Sequence, residues 1–293
     1  MPDKRGTTFG GSGRLEKQYG AAIGRIVKRI LAPIRQEASL EEWLQSIAER
    51  SQAADVQEAS NLLAQNMVRW ASIRNAKSWR EAAAKSQKSR ELYKLLQHEM
   101  SGPVGIQVQR LIQDNAGYIS SVPLDAARVL VDEVARAQQS GARASTVARM
   151  LKNRFPQLLK SRVHLISRTE TAKASTALTQ ARCAELNIQF YQWLTAKDGN
   201  RVRHSHQKME GVIVPWSDPP APDTLFPTPL KHGGTSRSTL GHYHAGECPN
   251  CRCTQRVVLA LEDIEFPARV YYDGAVHRVP TKQQFKQLFS RAA

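Results

Sequence analysis

Ile188-Gln-Phe-Tyr-Gln-Trp-Leu194 divides the chain into two parts of different character. The segment first alternates apolar and polar residues and then turns apolar, a pattern typical of a partly buried strand. Before it, apolar residues recur at helical spacing, whereas after it short β-prone runs alternate with loops. This order predicts an α+β protein, in which a mostly helical N-terminal domain precedes a small α+β domain with a long helix, short β-strands and a long loop closed by a Cys cluster.

The sequence up to residue 160 predicts a flexible N-terminus at residues 1–13 and a helical domain at 14–160. Ser39-Leu-Glu-Glu42 matches a capping box, so a helix is expected to begin there. Pro123 predicts a turn, because proline lacks a backbone N–H and interrupts helical hydrogen bonding. The other helices are predicted from the apolar spacing at residues 14–35, 55–85, 90–99, 104–119, 124–139 and 145–154.

Beyond residue 160, the sequence predicts an α+β domain at residues 161–262 and a C-terminal β-hairpin with a helix at 263–293. The pair Asp273-Gly274 predicts the hairpin, since these residues accept the positive φ angles of a tight turn. Residues 216–244 are rich in Pro, Gly, Ser and Thr, and a loop of that length inside a domain is normally functional or disordered. The remaining elements are predicted as helices at 161–187 and 281–289 and as strands at 188–194, 212–214 and 254–261.

The chain carries 42 Lys and Arg against 26 Asp and Glu, so its formal net charge is +16. A field of this sign attracts polyanions, which makes nucleic acid the first candidate partner; an acidic protein or a merely solvated basic surface are the alternatives. In the first helix, Arg25, Lys28 and Arg29 lie on a basic face and are the candidate DNA-binding residues. The solvated side of a packed helix is the simpler interpretation of that face.

The segment Met1–Thr8 lacks the apolar stretch of a signal peptide, and no window reaches the ~18 apolar residues of a membrane span. The cysteines are clustered, unlike those of a secreted disulfide framework. These patterns predict that the protein has no membrane partner. They also predict that its location is a reducing cytoplasm or a particle assembled there.

Three of the four cysteines lie in Cys248-Pro-Asn-Cys-Arg-Cys253. Thiolates at this spacing are typical ligands of a structural zinc ion, which needs a fourth ligand to complete a tetrahedron. The candidates for that ligand are His204, His206, His242 and His244. A buried knot of packed thiols and a disulfide are the alternative interpretations.

A second polar cluster, Asp198-Gly-Asn-Arg-Val-Arg-His-Ser-His206, lies in a loop between two predicted strands. One interpretation is an anion-binding or catalytic pocket, with His206 as general base and Arg201 and Arg203 clamping phosphate. The other is a loop held by hydrogen bonds, which we favour because no second carboxylate pair, Ser/His/Asp set or Gly-rich phosphate loop accompanies the cluster.

Four motifs follow one another in the second half of the chain: Ile166-Ser-Arg-Thr-Glu-Thr-Ala172, Trp193-Leu-x3-Asp198, Arg201-x-Arg203-x2-His206-x4-Gly211 and Asn250-Cys-Arg-Cys253. In this combination they resemble the phage head morphogenesis, or Mu F-like minor head protein, family, over about Ser161 to Val258. The motif residues that the resemblance implies are Arg168, Thr169, Glu170, Asp198, Arg201, Arg203, His206, Gly211, Asn250, Cys251, Arg252 and Cys253.

The resemblance implies a minor capsid protein of a tailed phage or prophage, acting in head assembly and in DNA packaging or ejection. The implied partners are the portal protein, packaged double-stranded DNA bound without sequence preference, and scaffold or major capsid protein. The implied location is the inside of the virion head, reached from the host cytoplasm during assembly. The family is not regarded as enzymatic; the alternative is a metal-dependent nuclease or toxin-like enzyme centred on His206 and Cys248–Cys253.

One departure from the family bears on the metal. Many relatives carry a Cys-x2-Cys pair where this chain has Arg203 and His206. A zinc site would then use His206, Cys251 and Cys253, with Cys248, His204 or His244 to complete the set. The same departure suggests that hydrogen bonds hold the loop, so structural zinc is a candidate cofactor and not a requirement of the pattern.

Overall fold

The computed structural model describes residues 7–34, 39–84, 102–197, 202–230, 234–236 and 240–290. Its helices are α1 (Gly13–Leu31), α2 (Leu40–Gln52), α3 (Ala54–Ala84), α4 (Pro103–Gln139), α5 (Ala144–Glu185), α6 (His204–Met209), α7 (Pro222–Leu225) and α8 (Lys282–Ser290). Its strands are β1 (Thr8–Phe9), β2 (Phe190–Leu194), β3 (Ile213–Pro215), β4 (Thr254–Val257), β5 (Ala268–Tyr272) and β6 (Ala275–Val279). The predicted α+β class is confirmed, and the helix predicted at 90–99 lies outside the described residues.

Apolar spacing and capping explain the N-terminal helices. On one face of α1, Tyr19, Ile23 and Ile30 are buried. At the start of α2, the Glu42 N–H donates to Ser39 Oγ at 3.2 Å and the Ser39 N–H donates to Glu42 Oε2 at 3.0 Å, so the predicted capping box is confirmed. Within the described part of the chain, none of the helices combines the length and the apolar character that crossing a membrane requires.

Two prolines lie inside long helices. The turn predicted at Pro123 is wrong, because α4 continues through this residue, which is buried. Pro123 has no N–H to donate to the carbonyl four residues before it. The hydroxyls of Ser120 and Ser121 donate to other carbonyls of the preceding turn, those of Ala116, Gly117 and Tyr118, at 3.1 to 3.3 Å. The helices predicted separately at 145–154 and 161–187 are likewise one helix, α5, which contains Pro156.

The strands form a mixed sheet in the order β1-β4-β2-β3-β5-β6. Neighbouring strands are antiparallel except β3 and β5, which are parallel. The predicted hairpin is confirmed, and Asp273 and Gly274 turn it with φ angles of 49° and 72°. At the other edge of the sheet, β1 lies in the stretch predicted to be flexible. Phe9 of this strand is buried, and its ring centroid lies 4.9 Å from that of Trp79. The prediction of flexibility is therefore wrong for residues 8 and 9.

The chain divides into two compact units that are discontinuous in sequence. Unit 1 comprises residues 1–12, 71–107 and 172–293, and unit 2 comprises residues 13–70 and 108–171. Unit 1 contains the sheet and a core of aromatic and sulfur-containing side chains that includes Trp193 and Cys183. Unit 2 is helical, and its core includes Trp43 and Phe155, whose rings meet edge to face at 5.0 Å. The sequential domain boundaries at residues 160 and 262 stay a prediction.

Candidate metal centre

The candidate site lies in unit 1, where α6 faces the loop that leads into β4. Arg203 is the N-cap residue of α6, and His206 on this helix is turned inward and only 2% exposed. After α6, Gly211 adopts a φ of 79°, and its N–H donates to the Trp193 carbonyl of β2 at 2.8 Å. This glycine conformation lets the chain return at once to β3, so α6 is anchored between two strands.

A tight turn gathers the three clustered cysteines. The Cys251 N–H donates to the Cys248 carbonyl at 3.0 Å, and Asn250 between them has a φ of 60°, which asparagine tolerates better than most residues. The Cys253 N–H donates to Cys251 Sγ at 3.3 Å. The three side chains are 3 to 5% exposed, and all four cysteines of the chain are free thiols rather than a disulfide.

His206 lies among the three sulfur atoms. Its Nδ1 is 3.4 Å from Cys253 Sγ and 3.6 Å from Cys251 Sγ, and its Nε2 is 3.7 Å from Cys248 Sγ. The ligand atoms of His206, Cys248 and Cys251 all lie within 4.8 Å of one another. In a tetrahedral site, Zn–S bonds of about 2.3 Å and Zn–N bonds of about 2.0 Å place sulfur and nitrogen about 3.6 Å apart. Cys251 and Cys253 lie at about this distance from Nδ1, whereas Cys248 lies on the Nε2 side, so the donor types suit zinc while the sulfurs address two different nitrogens of the ring.

A chain of hydrogen bonds extends from the other side of the His206 ring. Nε2 of His206 lies 3.0 Å from the Tyr243 hydroxyl, which donates to Asp223 Oδ2 at 3.1 Å. The second carboxylate oxygen of Asp223 accepts a hydrogen bond from the Ser205 hydroxyl at 2.5 Å. The long loop that contains Asp223 and Tyr243 is thus tied back to α6.

Arg203 contacts the cysteine turn and not an anion. Its Nη1 donates to Cys248 Sγ at 2.8 Å, and its Nη2 donates to the Pro249 carbonyl at 3.0 Å. A guanidinium beside a sulfur stabilises the thiolate form. Three thiolates and one Zn²⁺ ion together carry a net charge of −1, which the positive charge of Arg203 would offset. These contacts agree with the favoured interpretation of a loop held by hydrogen bonds.

The three thiols differ in acidity because they are hydrogen-bonded to one another. Hydrogen bonds from Cys248 and then Cys253 hold the pKa of Cys251 well below its usual range. The pKa values of Cys248 and Cys253 are raised, first because they donate to Cys251 and second because they are buried. The three sulfurs therefore form one buried, hydrogen-bonded group.

Two other candidate histidines have different contacts. The buried His244 has Nδ1 3.2 Å from the Tyr191 hydroxyl and Nε2 3.5 Å from Gln180 Nε2. The exposed His242 has Nδ1 2.7 Å from the Pro219 carbonyl oxygen. Among the described residues, the candidate histidine that the structure brings to the cysteines is His206. Its ligand atom groups with those of Cys248 and Cys251, and Cys253 Sγ lies 3.4 Å from Nδ1, so the four-residue zinc set stays a prediction.

The remaining motif residues lie in other places. Asp198 and Arg201 are outside the described residues. In unit 2, Arg168 pairs with Glu16 of α1, with Nε 3.1 Å from Oε1. Beside it on α5, Thr169 and Glu170 are buried, whereas Asn250 and Arg252 belong to the cysteine turn.

The predicted DNA-binding residues lie on α1, also in unit 2. Arg25 and Lys28 are exposed. Arg29 pairs with Asp55 at 3.1 Å, with the arginine side chain 54% exposed. The carboxylate offsets part of the charge of Arg29, so Arg25 and Lys28 are the stronger candidates for contact with an anion.

Sequence reasoning did not identify Ser205, Asp223 or Tyr243 as site residues. Twenty positions separate Asp223 from Tyr243, and no motif spacing links them. The available signal was the length of the Pro- and Gly-rich loop, because such a loop must be held by specific contacts if it is ordered.

The comparisons with known proteins agree with the motif resemblance. Residues 128–256 match the model of the family described as phage Mu protein F like protein. A Haemophilus influenzae protein described as uncharacterized is 30% identical over 153 residues, which are 52% of this chain and 30% of that protein. The chain thus covers less than a third of this relative. No solved structure matches the chain significantly. The predicted Mu F-like resemblance is confirmed, and it points to phage head morphogenesis.

Proposed function

We propose that this chain, whose residues 128–256 match the model of the phage Mu F-like family, is a minor capsid protein of a tailed phage or prophage. The family match carries the proposal. The protein would act in head assembly and in DNA packaging or ejection, associate with the portal, and contact scaffold or major capsid protein. It would assemble in the host cytoplasm and stay inside the virion head.

Mass spectrometry of purified phage particles tests this assignment. The protein is expected in DNA-filled heads at a few copies, and it should co-purify with the portal when heads are disrupted. If the host expresses the protein but the purified particles lack it, the assignment is refuted.

Contact with packaged DNA is the second part of the proposal. The net charge of +16 and the exposed Arg25 and Lys28 on α1 support it. Each Lys or Arg that neutralises a phosphate releases counterions, so such binding is independent of sequence and weakens with salt. The slope of the logarithm of the binding constant against the logarithm of the salt concentration therefore reports the number of these contacts.

The test compares two double variants of equal charge. Arg25→Ala with Lys28→Ala is expected to make the salt slope on duplex DNA shallower by about 2, since each lost phosphate contact removes about 0.9. Arg278→Ala with Lys286→Ala, which removes two exposed cations from the β6 and α8 region, should leave the slope unchanged. An equal effect of both pairs would contradict a specific role for α1.

The cysteine centre would have a structural role, as a zinc site with His206, Cys248, Cys251 and Cys253 as ligands. Its side chains are 2 to 5% exposed, and structural zinc sites are closed, whereas catalytic ones keep an open position. Zinc would supply a crosslink between α6 and the loop before β4. The same burial supports a protein that is not an enzyme, because a nucleic-acid substrate could not reach His206.

Metal analysis of the purified protein tests the zinc site. One zinc per chain is expected, with loss of the metal in Cys251→Ser and retention in Cys183→Ser, which changes a buried cysteine outside the cluster. Plasmid incubated with the protein and Mg²⁺ or Zn²⁺ should stay intact. Cleavage that disappears in His206→Ala would support the nuclease alternative instead.

A further inference from the structure

We infer that the exposed basic face of α5, formed by Arg149, Lys152 and Lys160, is a second surface that contacts the phosphate backbone of double-stranded DNA. The inference rests on the DNA contact proposed above and adds to it a surface other than α1. It also gives a role to a stretch of the chain in which basic residues have no acidic residues among them.

The first observation is the charge of this part of α5. Between Ala144 and Thr169 the helix contains no Asp or Glu. The same stretch contains six basic residues, which are Arg149, Lys152, Arg154, Lys160, Arg162 and Arg168. A solvated helix face commonly balances its charge by alternating both signs along its length. Here any balancing charge must come from other helices.

The second observation is that neighbouring helices balance only some of these charges. Three arginines form ion pairs with acids of α4 and α1, at 2.6 to 3.1 Å between nitrogen and oxygen: Arg154 with Glu133, Arg162 with Asp125, and Arg168 with Glu16. The other three cations are exposed, and within the described part of the chain Arg149, Lys152 and Lys160 form no ion pair. The uncompensated charge of this stretch is therefore on the solvent side.

The third observation is the arrangement of these three cations. Steps of three and four residues, through the exposed Pro156, keep Arg149, Lys152 and Lys160 on one face of the helix. At 1.5 Å per residue, the distance along the axis from Arg149 to Lys160 is about 16 Å. Each strand of a duplex carries one phosphate per about 3.4 Å, so this face can lie along about five phosphates of one strand.

The absence of apolar anchors distinguishes DNA from a protein partner. Protein interfaces centre on buried aromatic, Met or Arg side chains and are depleted in Lys. Among the residues that the structure describes, the exposed large apolar side chains lie on α3, on α4 and in the loop after α7, and none lies on α5. A face of cations without such anchors suits a polyanion that carries its charges on the outside, as duplex DNA does.

The basic face of α5 ends beside α1. His164 follows Lys160 by one turn, and its Nε2 lies 4.0 Å from Glu16 Oε1 of α1. Arg25 and Lys28 lie further along α1 and belong to the same unit. Both basic surfaces are therefore part of unit 2, and their contributions to DNA binding can be compared in one protein.

A salt titration of the full-length protein on duplex DNA is the first test. The triple variant Arg149→Gln, Lys152→Gln and Lys160→Gln is expected to make the salt slope shallower by about 2.7, since each lost phosphate contact removes about 0.9. The charge-preserving variant Lys152→Arg with Lys160→Arg should keep the wild-type slope. A wild-type slope in the triple variant would overturn the inference.

The matched control removes equal charge from unit 1. Lys208→Gln with Arg278→Gln and Lys286→Gln changes three exposed cations outside unit 2, and its slope should equal that of the wild type. If this control lowers the slope as much as the α5 triple variant does, DNA responds to total charge and the inference of a specific surface is wrong.

Chemical modification locates the contact in the unaltered protein. Lysines are acetylated with an amine-reactive reagent, and the modified positions are counted by mass spectrometry. Duplex DNA is expected to slow the modification of Lys152 and Lys160 severalfold and to leave that of Lys208 unchanged. Poly-glutamate is the second probe, and protection by poly-glutamate without protection by DNA would indicate an acidic protein partner and refute the inference. If the triple variant does not fold, this measurement gives the decision.

The two proposals fail in different ways. If Arg25→Ala with Lys28→Ala makes the slope shallower but the α5 triple variant does not, the DNA contact through α1 stands and the inference is wrong. If the wild-type protein does not bind duplex DNA, both DNA contacts are refuted. The assignment to the virion is decided separately, by the mass spectrometry of purified particles.

Discussion

Acid should destabilise unit 1 through His244, which is 4% exposed. Its ring nitrogens face Tyr191 and Gln180, and its ring centroid lies 5.0 Å from that of Trp216, while its backbone N–H donates to Glu247 Oε2 at 2.6 Å. Burial lowers the pKa of His244 from 6.5 to about 4. The folded protein therefore resists a proton that the unfolded chain accepts.

The sign and size follow from this difference. Above pH 6.5 the histidine is neutral in both the folded and the unfolded state, so its protonation does not change the free energy of unfolding. As the pH falls from about 6.5 to 4, the unfolded chain binds a proton and the free energy of unfolding decreases; below pH 4 the decrease levels off. A difference of about 2.5 pKa units at 1.36 kcal/mol each gives a total loss of about 3 kcal/mol.

Urea unfolding at pH 7, 6, 5 and 4 measures this loss, with chelator present so that metal release adds no pH dependence of its own. His244→Gln should remove about 3 kcal/mol of the decrease between pH 7 and 4 relative to the wild type. His242→Gln, at an exposed histidine two positions away, should follow the wild-type curve. A full acid loss in His244→Gln would refute the reasoning.

Three further changes test the packing. Cys253→Ser should lower the melting temperature of the zinc-loaded protein more than Cys183→Ser does, because it removes a ligand as well as a buried sulfur; equal shifts in a thermal melt would count against the metal. Gly246→Ala should destabilise by about 1–3 kcal/mol in urea unfolding, since Gly246 has a φ of 91° and a Cβ there would lie 2.6 Å from Thr176 Oγ1. Ser39→Ala should cost about 1 kcal/mol by the same method through loss of the capping box, and no change would mean that the cap is not needed.

Local rules explain which parts of the fold could be predicted. The capping box at Ser39 and the hairpin turn at Asp273 depend on neighbouring residues only, so their sequence patterns were sufficient. The turn predicted at Pro123 was wrong because α4 continues through this buried proline despite the missing N–H, and burial depends on tertiary packing and not on neighbouring residues. Phe9 was missed for the same reason, since its strand has two residues and pairs with a distant segment.

The candidate site divides in the same way. Cysteine spacing singled out the three sulfurs and left four histidines as candidates for the fourth ligand, and the family resemblance favoured His206 among them. Asp223 and Tyr243 could not be predicted, since their contact with His206 exists only once the long loop folds back. A motif therefore identifies candidate ligands, while contacts between distant segments become visible only in the tertiary structure.

The pairing of β1 with β4 has a consequence for the timing of folding. Thr8 lies opposite Arg256, so β1 cannot pair with β4 until synthesis has passed β4. The cysteine turn lies directly before β4 and becomes available at the same late moment. This edge of the sheet is therefore expected to form later than the contacts within single helices, because its two strands are far apart in the sequence.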